Sequence, residues 1–124
     1  VGKIPAGLRV LVVEDEFMIA MAVEAVVTDA GGIVVDMAAT LEQAVALAAT
    51  AEFDAALLDI NLNGQNSFPV ADILGKRGIP FAFVTGYGRK MVPDAFAAAP
   101  ILTKPYARNE LMRVLGSLSE NHVR

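Results

Sequence analysis

Apolar positions along this chain follow two rhythms that alternate. Leu8-Arg9-Val10-Leu11-Val12-Val13 is short, β-branched and nearly continuous, and it stops at Glu14-Asp15-Glu16. Such a run predicts a strand buried on both faces, as in a parallel sheet. From Phe17 to Ala30 the spacing becomes helical, with Ile19, Ala22, Val23, Val26 and Ala30 as the apolar stripe and Gly31-Gly32 as the stop. Ile33 to Ala38 reads as a second strand. Thr40-Leu41-Glu42-Gln43 matches a capping box, and Leu41, Ala44, Val45 and Ala48 form the stripe of a second helix. Ala55 to Asp59 is a third strand, and the loop after it is rich in Asn, Gly and Ser. A short third helix is predicted over Pro69 to Leu74, with proline in its first turn. Phe81 to Thr85 is a fourth strand. A fourth helix falls near Lys90 to Ala98, but Pro93 interrupts it, so a small or mobile element is expected. Ile101-Leu102-Thr103 is a fifth strand, and Leu111, Val114, Leu115 and Leu118 mark a closing helix.

Five βα units in strict alternation predict an α/β fold, a single doubly wound domain with a five-stranded parallel sheet and helices on both faces. Composition agrees. The chain has 124 residues, enough for one domain, and 55% of them are of the hydrophobic class, which excludes disorder. With no cysteine and a single histidine, His122, a disulfide scaffold and a Cys- or His-rich metal cage are out. His122 reads as a solvated tail residue. Ten Lys and Arg stand against 14 Asp and Glu, a net charge of -4, so direct nucleic-acid binding through bulk charge is not expected. No apolar run reaches about 18 residues, and Val1 to Arg9 lacks the apolar core of a signal peptide, so the expected setting is the cytoplasm, away from the membrane.

In open parallel sheets ligands bind outside the carboxyl ends of the strands. Strand one ends at Glu14-Asp15, strand three at Asp59, strand four at Thr85 and strand five at Thr103-Lys104. Each has an ordinary explanation: acids cap helices, Asp and Thr-Gly make turns, and Lys-Pro alone says little. Their convergence on one edge says more. Three carboxylates meeting there repel, and a hard divalent cation such as Mg²⁺ is the simplest remedy. Lys104 adds a positive charge and Thr85 a hydroxyl. Together they suit phosphoryl transfer to or from a carboxylate.

On these residues the chain resembles the receiver domain of two-component response regulators, from about Leu8 to Leu118 of a domain spanning 1–124. Leu11-Val12-Val13-Glu14-Asp15-Glu16 resembles the family's acidic pair, Leu57-Leu58-Asp59 its phosphoacceptor strand, and Thr85-Gly86 and Lys104-Pro105 its hydroxyl and lysine stations. The resemblance implies a flavodoxin-like, CheY-like fold with strand order 2-1-3-4-5. It implies that Asp59 accepts a phosphoryl group from a phosphohistidine of a kinase or phosphotransferase. Asp15 and Asp59 would ligate Mg²⁺ directly, Glu14 through water, and Asn61 through its backbone carbonyl. Thr85 and Lys104 would hold the phosphoryl oxygens. Such a domain modifies only itself and is no conventional enzyme. Its output would be exerted on a downstream protein partner, as a monomer or weak homodimer.

Three departures stand out. Asn63 occupies the place four residues after the acceptor where proline is common. Ile101 replaces the usual aromatic residue three positions before the lysine, so the common aromatic switch cannot operate. Phe83-Val84-Thr85-Gly86-Tyr87-Gly88 resembles the Phe-Ala-Thr-Gly signature of the FATGUY receivers of alphaproteobacteria, whose fourth helix is poorly ordered. The switch expected here has phosphorylation drawing in Thr85 and ordering the segment after Gly86, with Tyr87 and Tyr106 as relays. Competing readings are a Toprim-type Mg²⁺ enzyme, which Asp59-Ile60-Asn61 fits badly, and a pseudo-receiver that binds partners without phosphorylation. A flavodoxin-like FMN carrier is disfavoured by the acidic first loop.

Overall fold

The computed structural model describes residues 4–121; His122 lies outside them. Five parallel strands form the sheet: β1 (Arg9–Val13), β2 (Ile33–Ala38), β3 (Ala55–Asp59), β4 (Phe81–Thr85) and β5 (Ile101–Thr103), in spatial order β2-β1-β3-β4-β5. This is the expected order, 2-1-3-4-5. Neighbouring strands are parallel throughout.

Alternation along each strand divides the core in two. Val10 and Val12 face α1 (Phe17–Asp29) and the closing helix α4 (Arg108–Asn121), packing with Val23, Val27, Leu111 and Leu115. Leu11 and Val13 face the other way, toward α2 (Leu41–Thr50) and α3 (Phe68–Arg77), packing with Ala44, Ala48, Val70 and Leu74. Every residue of β3 is buried, as a central strand covered on both sides requires. Each large aliphatic side chain buried this way contributes about 1.5–3 kcal/mol.

Local signals account for the helix ends. The Thr40 hydroxyl accepts the Gln43 N–H at 3.1 Å, and the Gln43 side chain reaches back to the Ala39 N–H at 3.0 Å, one residue before the cap. The third helix extends beyond the predicted Leu74 to Arg77 and ends at Gly78 in the left-handed conformation.

Three expectations are corrected. The fourth unit is not a βα unit: two 3₁₀ turns, Gly88–Met91 and Asp94–Phe96, join β4 to β5, so the described residues hold four α-helices rather than five. Pro93 separates the two turns. In α1 the buried residues are Ala20, Val23 and Val27, while Ala22, assigned to the apolar stripe, is exposed. The loop after β3 holds a small antiparallel hairpin, with Asn61–Leu62 paired to Gln65–Asn66. No helix among the described residues is long and apolar enough to cross a membrane.

Candidate functional site

The carboxyl ends of β1 and β3 lie side by side at the centre of the sheet, because Val13 pairs with Leu58 in the parallel register. One residue further on, Glu14 and Asp59 point polar side chains into the same corner. Both are buried, at 6% and 7% exposure. Asp15 is half-buried beside them. One carboxylate oxygen from each of Glu14, Asp15 and Asp59 lies within 4.8 Å of the others. At about 4 Å, two like charges repel by ~1 kcal/mol in water and ~4 kcal/mol at an effective dielectric of 20.

Lys104 supplies the one cation at this corner among the described residues. It follows β5, where the Lys104 N–H donates to the Thr85 carbonyl at 2.8 Å, and its peptide to Pro105 is cis. Its Nζ lies 3.2 Å from Asp59 Oδ2 and 3.4 Å from Glu14 Oε1. Burial works to lower the Lys104 pKa, but Asp59 and Glu14 together push it above its usual value. One ammonium does not neutralise three acids. Burial, helped by the Asp59 carboxylate, pushes the Glu14 carboxyl up to about 7, against the opposing pull of the Glu16 N–H and Lys104. A group of hard oxygen donors that is short of positive charge suits Mg²⁺, which takes oxygen ligands and few protein carboxylates.

Helix capping occupies only one oxygen of one of these acids. Glu16 sits at the N-cap of α1 but makes no side-chain cap bond. Its N–H instead donates to Glu14 Oε2 at 3.1 Å. Asp15 Oδ2 accepts the Asn63 N–H at 3.0 Å.

Thr85, buried at the end of β4, lines a cleft of about 220 Å³ with Asp59, Asn61, Gly86, Tyr87 and Met91. Its Oγ1 accepts the Tyr87 N–H at 3.0 Å and keeps its own proton to donate. An adjoining cleft of about 420 Å³ is lined by Asp15, Asp59, Asn61, Asn63, Tyr87 and Lys104. Exposed Phe17 and Met18 at the start of α1, and exposed Tyr87, put apolar surface close to this acidic centre.

Glu14, Asp15, Asp59, Asn61, Thr85, Tyr87 and Lys104 are therefore brought to one edge. Ile101 stands apart from these clefts, whereas Tyr106 lines a third cleft, of about 600 Å³, with Met18, Ile19, Ala22 and Lys104. Tyr106 is half-buried against the α1–α4 side of the core, and Ile101 packs on the α2–α3 side. Burial raises the Tyr106 pKa, with a smaller contribution from Glu14. Sequence reasoning missed the backbone donors of Glu16 and Asn63. The signal for the second was present: Asn-Gly is the preferred pair for a two-residue hairpin turn.

Residues 10–116 match the family model of the response regulator receiver domain. The transcriptional regulatory protein TcrA of Mycobacterium tuberculosis is 34% identical over 121 residues, which cover 92% of this chain and 47% of that protein. The solution structure of SdrG from Sphingomonas melonis Fr1 superposes with a TM-score of 0.80 at 36% identity, covering 93% of this chain and 98% of that one. The response regulator PhyR from Brucella abortus superposes with a TM-score of 0.81 at 28% identity, covering 96% of this chain and 50% of that one. The chain thus spans about half the length of the mycobacterial and Brucella relatives. A match over nearly its whole length, on a parallel sheet that gathers acids and a lysine at one edge, makes this chain a member of the response regulator receiver domain family, the receivers of two-component signal transduction.

Proposed function

We propose that this domain, with its core at about 8–118, takes a phosphoryl group onto Asp59 from a phosphohistidine of a partner kinase or phosphotransferase, and thereby changes its affinity for a downstream protein. The observation that carries this reading is the meeting of the Glu14, Asp15 and Asp59 carboxylates with the Lys104 ammonium. An Asp59 carboxylate oxygen forms the new bond to phosphorus. The bond from phosphorus to the donor's imidazole nitrogen breaks, and its electron pair stays on that nitrogen. Lys104, now 3.2 Å from Asp59 Oδ2, turns to the incoming phosphoryl oxygens, and the Thr85 hydroxyl donates to another of them. Glu14, Asp15, Asp59 and the Asn61 carbonyl would hold Mg²⁺. Bound there, the ion offsets the repulsion between a phosphoryl dianion and a carboxylate nucleophile. Water later attacks phosphorus, releasing phosphate and restoring the Asp59 carboxylate, so the signal decays.

The domain acts on itself rather than turning over a separate substrate. The run from Phe83 to Gly88 supports placing it with the FATGUY receivers. Incubation with Mg²⁺ and acetyl phosphate or phosphoramidate tests the reading. One base-labile phosphoryl group per chain is expected by mass spectrometry, absent from Asp59→Asn and strongly reduced in Lys104→Ala. Labelling that persists in Asp59→Asn would place the acceptor elsewhere.

A further inference from the structure

Residue 63 is where this chain departs from the proline common after the acceptor, and there the backbone does something proline cannot. Asn63 has φ 53° and Gly64 φ 88°. Two consecutive residues at positive φ make the type I′ turn that closes a two-residue hairpin. The hairpin is anchored at its base. Leu62 is 1% exposed in the α2–α3 side of the core, and the Ser67 N–H donates to the Ile60 carbonyl at 2.9 Å. Across the turn, Asn61 Oδ1 accepts the Gly64 N–H at 2.7 Å. From the tip, the Asn63 N–H reaches Asp15 Oδ2 at 3.0 Å, across 48 positions of sequence. Proline has no N–H to give and its ring fixes φ near -65°.

The two acids that follow β1 are therefore held by different parts of the fold. Glu14 is held by the Glu16 N–H, two residues away, as part of the approach to α1. Asp15 is held by the hairpin. A backbone N–H bonded to one oxygen of a carboxylate fixes the orientation of the other, and such supporting bonds commonly govern metal affinity.

We propose that the Asn63-Gly64 turn is a positioning device for Asp15: Asn63, through its backbone N–H, sets the Asp15 carboxylate for a divalent cation before the cation arrives. The inference rests on the reading of Glu14, Asp15 and Asp59 as the residues that hold Mg²⁺. Asn63 touches neither phosphorus nor ion and acts through Asp15. The asparagine side chain is not the working part; the N–H and the positive φ are.

Calorimetric titration with Mg²⁺ tests this on the full chain, with amide NMR spectra reporting Asn63 and Gly64. Asn63→Pro removes the N–H. Gly64→Val strains the positive φ without a collision, since nothing lies within 4 Å of a Cβ there. Both are expected to weaken Mg²⁺ binding about tenfold, the lower end for a supporting bond to a metal ligand. Asn63→Gly keeps the N–H and the turn, and should bind like the parent. In an Asp15→Asn background, Asn63→Pro should add little to the loss. Should Asn63→Pro fail to fold, Gly64→Val against Asn63→Gly decides. Parent-like affinity in both disrupting variants overturns the proposal and leaves the metal site standing. Equal loss in Asn63→Gly overturns it too, because the side chain would then be responsible. No Mg²⁺-dependent heat or shift change in the parent would instead defeat the metal reading on which the inference rests.

Discussion

Glu14, Asp59 and Lys104 form a corner whose charge does not balance, and two measurable consequences follow at single residues. The folded Glu14 carboxyl is held at about 7 by burial and by Asp59, against a normal value of 4.5 in the unfolded chain. Between those values the folded protein keeps a proton that the unfolded chain has lost. Stability of the metal-free protein should therefore fall as pH rises from about 4.5 to 7 and level off above. Urea denaturation in a chelator should show that slope, and Glu14→Gln should flatten it. Mg²⁺ affinity should run the other way, rising through pH 7 as Glu14 loses its proton. Lys104 gives the second consequence. Its side chain is 27% exposed and bridges two carboxylates that are less than a tenth exposed. Lys104→Met leaves them without a cation, which in a fully buried pair costs about 3–5 kcal/mol. Partial exposure reduces that, so a loss of about 1–2 kcal/mol is expected at pH 8 in chelator. Added Mg²⁺ should restore more stability to the variant than it adds to the parent.

Among the elements, strands and most helix ends were legible because single residues mark them: Thr40 and Gln43 cap α2, Pro69 lies in the first turn of α3, and polar residues end the apolar runs at Glu14 and Asp59. The phase of α1 was not. Met18, Ile19, Met21, Ala22, Val23, Ala25, Val26 and Val27 leave it almost without a polar face, so spacing alone did not fix which residues face the sheet. Its C-terminal junction is tight. A Cβ on Gly32 would stand 2.8 Å from Val27 Cγ1, 2.9 Å from Ile4 Cδ1 and 3.2 Å from the Leu8 carbonyl oxygen. The carbonyl cannot give way like a side chain, so Gly32→Ala should cost about 1–3 kcal/mol in urea denaturation. The segment between β4 and β5 lacks a helix yet is tied down. Arg89 donates to the carbonyls of Ala97 and Ala99 at 2.9 and 3.0 Å. The Phe96 ring lies 5.7 to 6.2 Å from those of Phe68, Phe81 and Phe83. Phe96 is half-buried, so Phe96→Ala should cost about 2 kcal/mol, below the fully buried range. Hydrogen exchange should accelerate across 88–99 in that variant, more than in α1.

On the scale of the whole molecule, the sheet order and the convergence of acids and lysine were readable because each chemical residue lies at, or within two positions of, the end of an apolar run. The contact between Asn63 and Asp15 was not, because it is made by a backbone N–H, which the residue type does not mark. The same distinction governs how a signal could cross the domain. Ile101 is packed in the α2–α3 side of the core and offers no aromatic ring to rotate. Thr85 is better placed. Its carbonyl accepts the Lys104 N–H, its hydroxyl oxygen accepts the Tyr87 N–H, and the chain then enters the 3₁₀ turns. On the proposed function, a phosphoryl group on Asp59 that accepts a hydrogen bond from the Thr85 hydroxyl would pull on Gly86-Tyr87-Gly88 from inside. Arg89 and Phe96 would then carry the shift to the surface between β4 and β5, where a partner would read it. NMR relaxation with Mg²⁺, with and without beryllofluoride as a phosphoryl mimic, should show changed backbone mobility over residues 86–98. Arg89→Ala, which removes both carbonyl contacts, should leave beryllofluoride binding intact and shrink the change beyond Tyr87. Identical mobility of 86–98 in the two states of the parent would rule this route out.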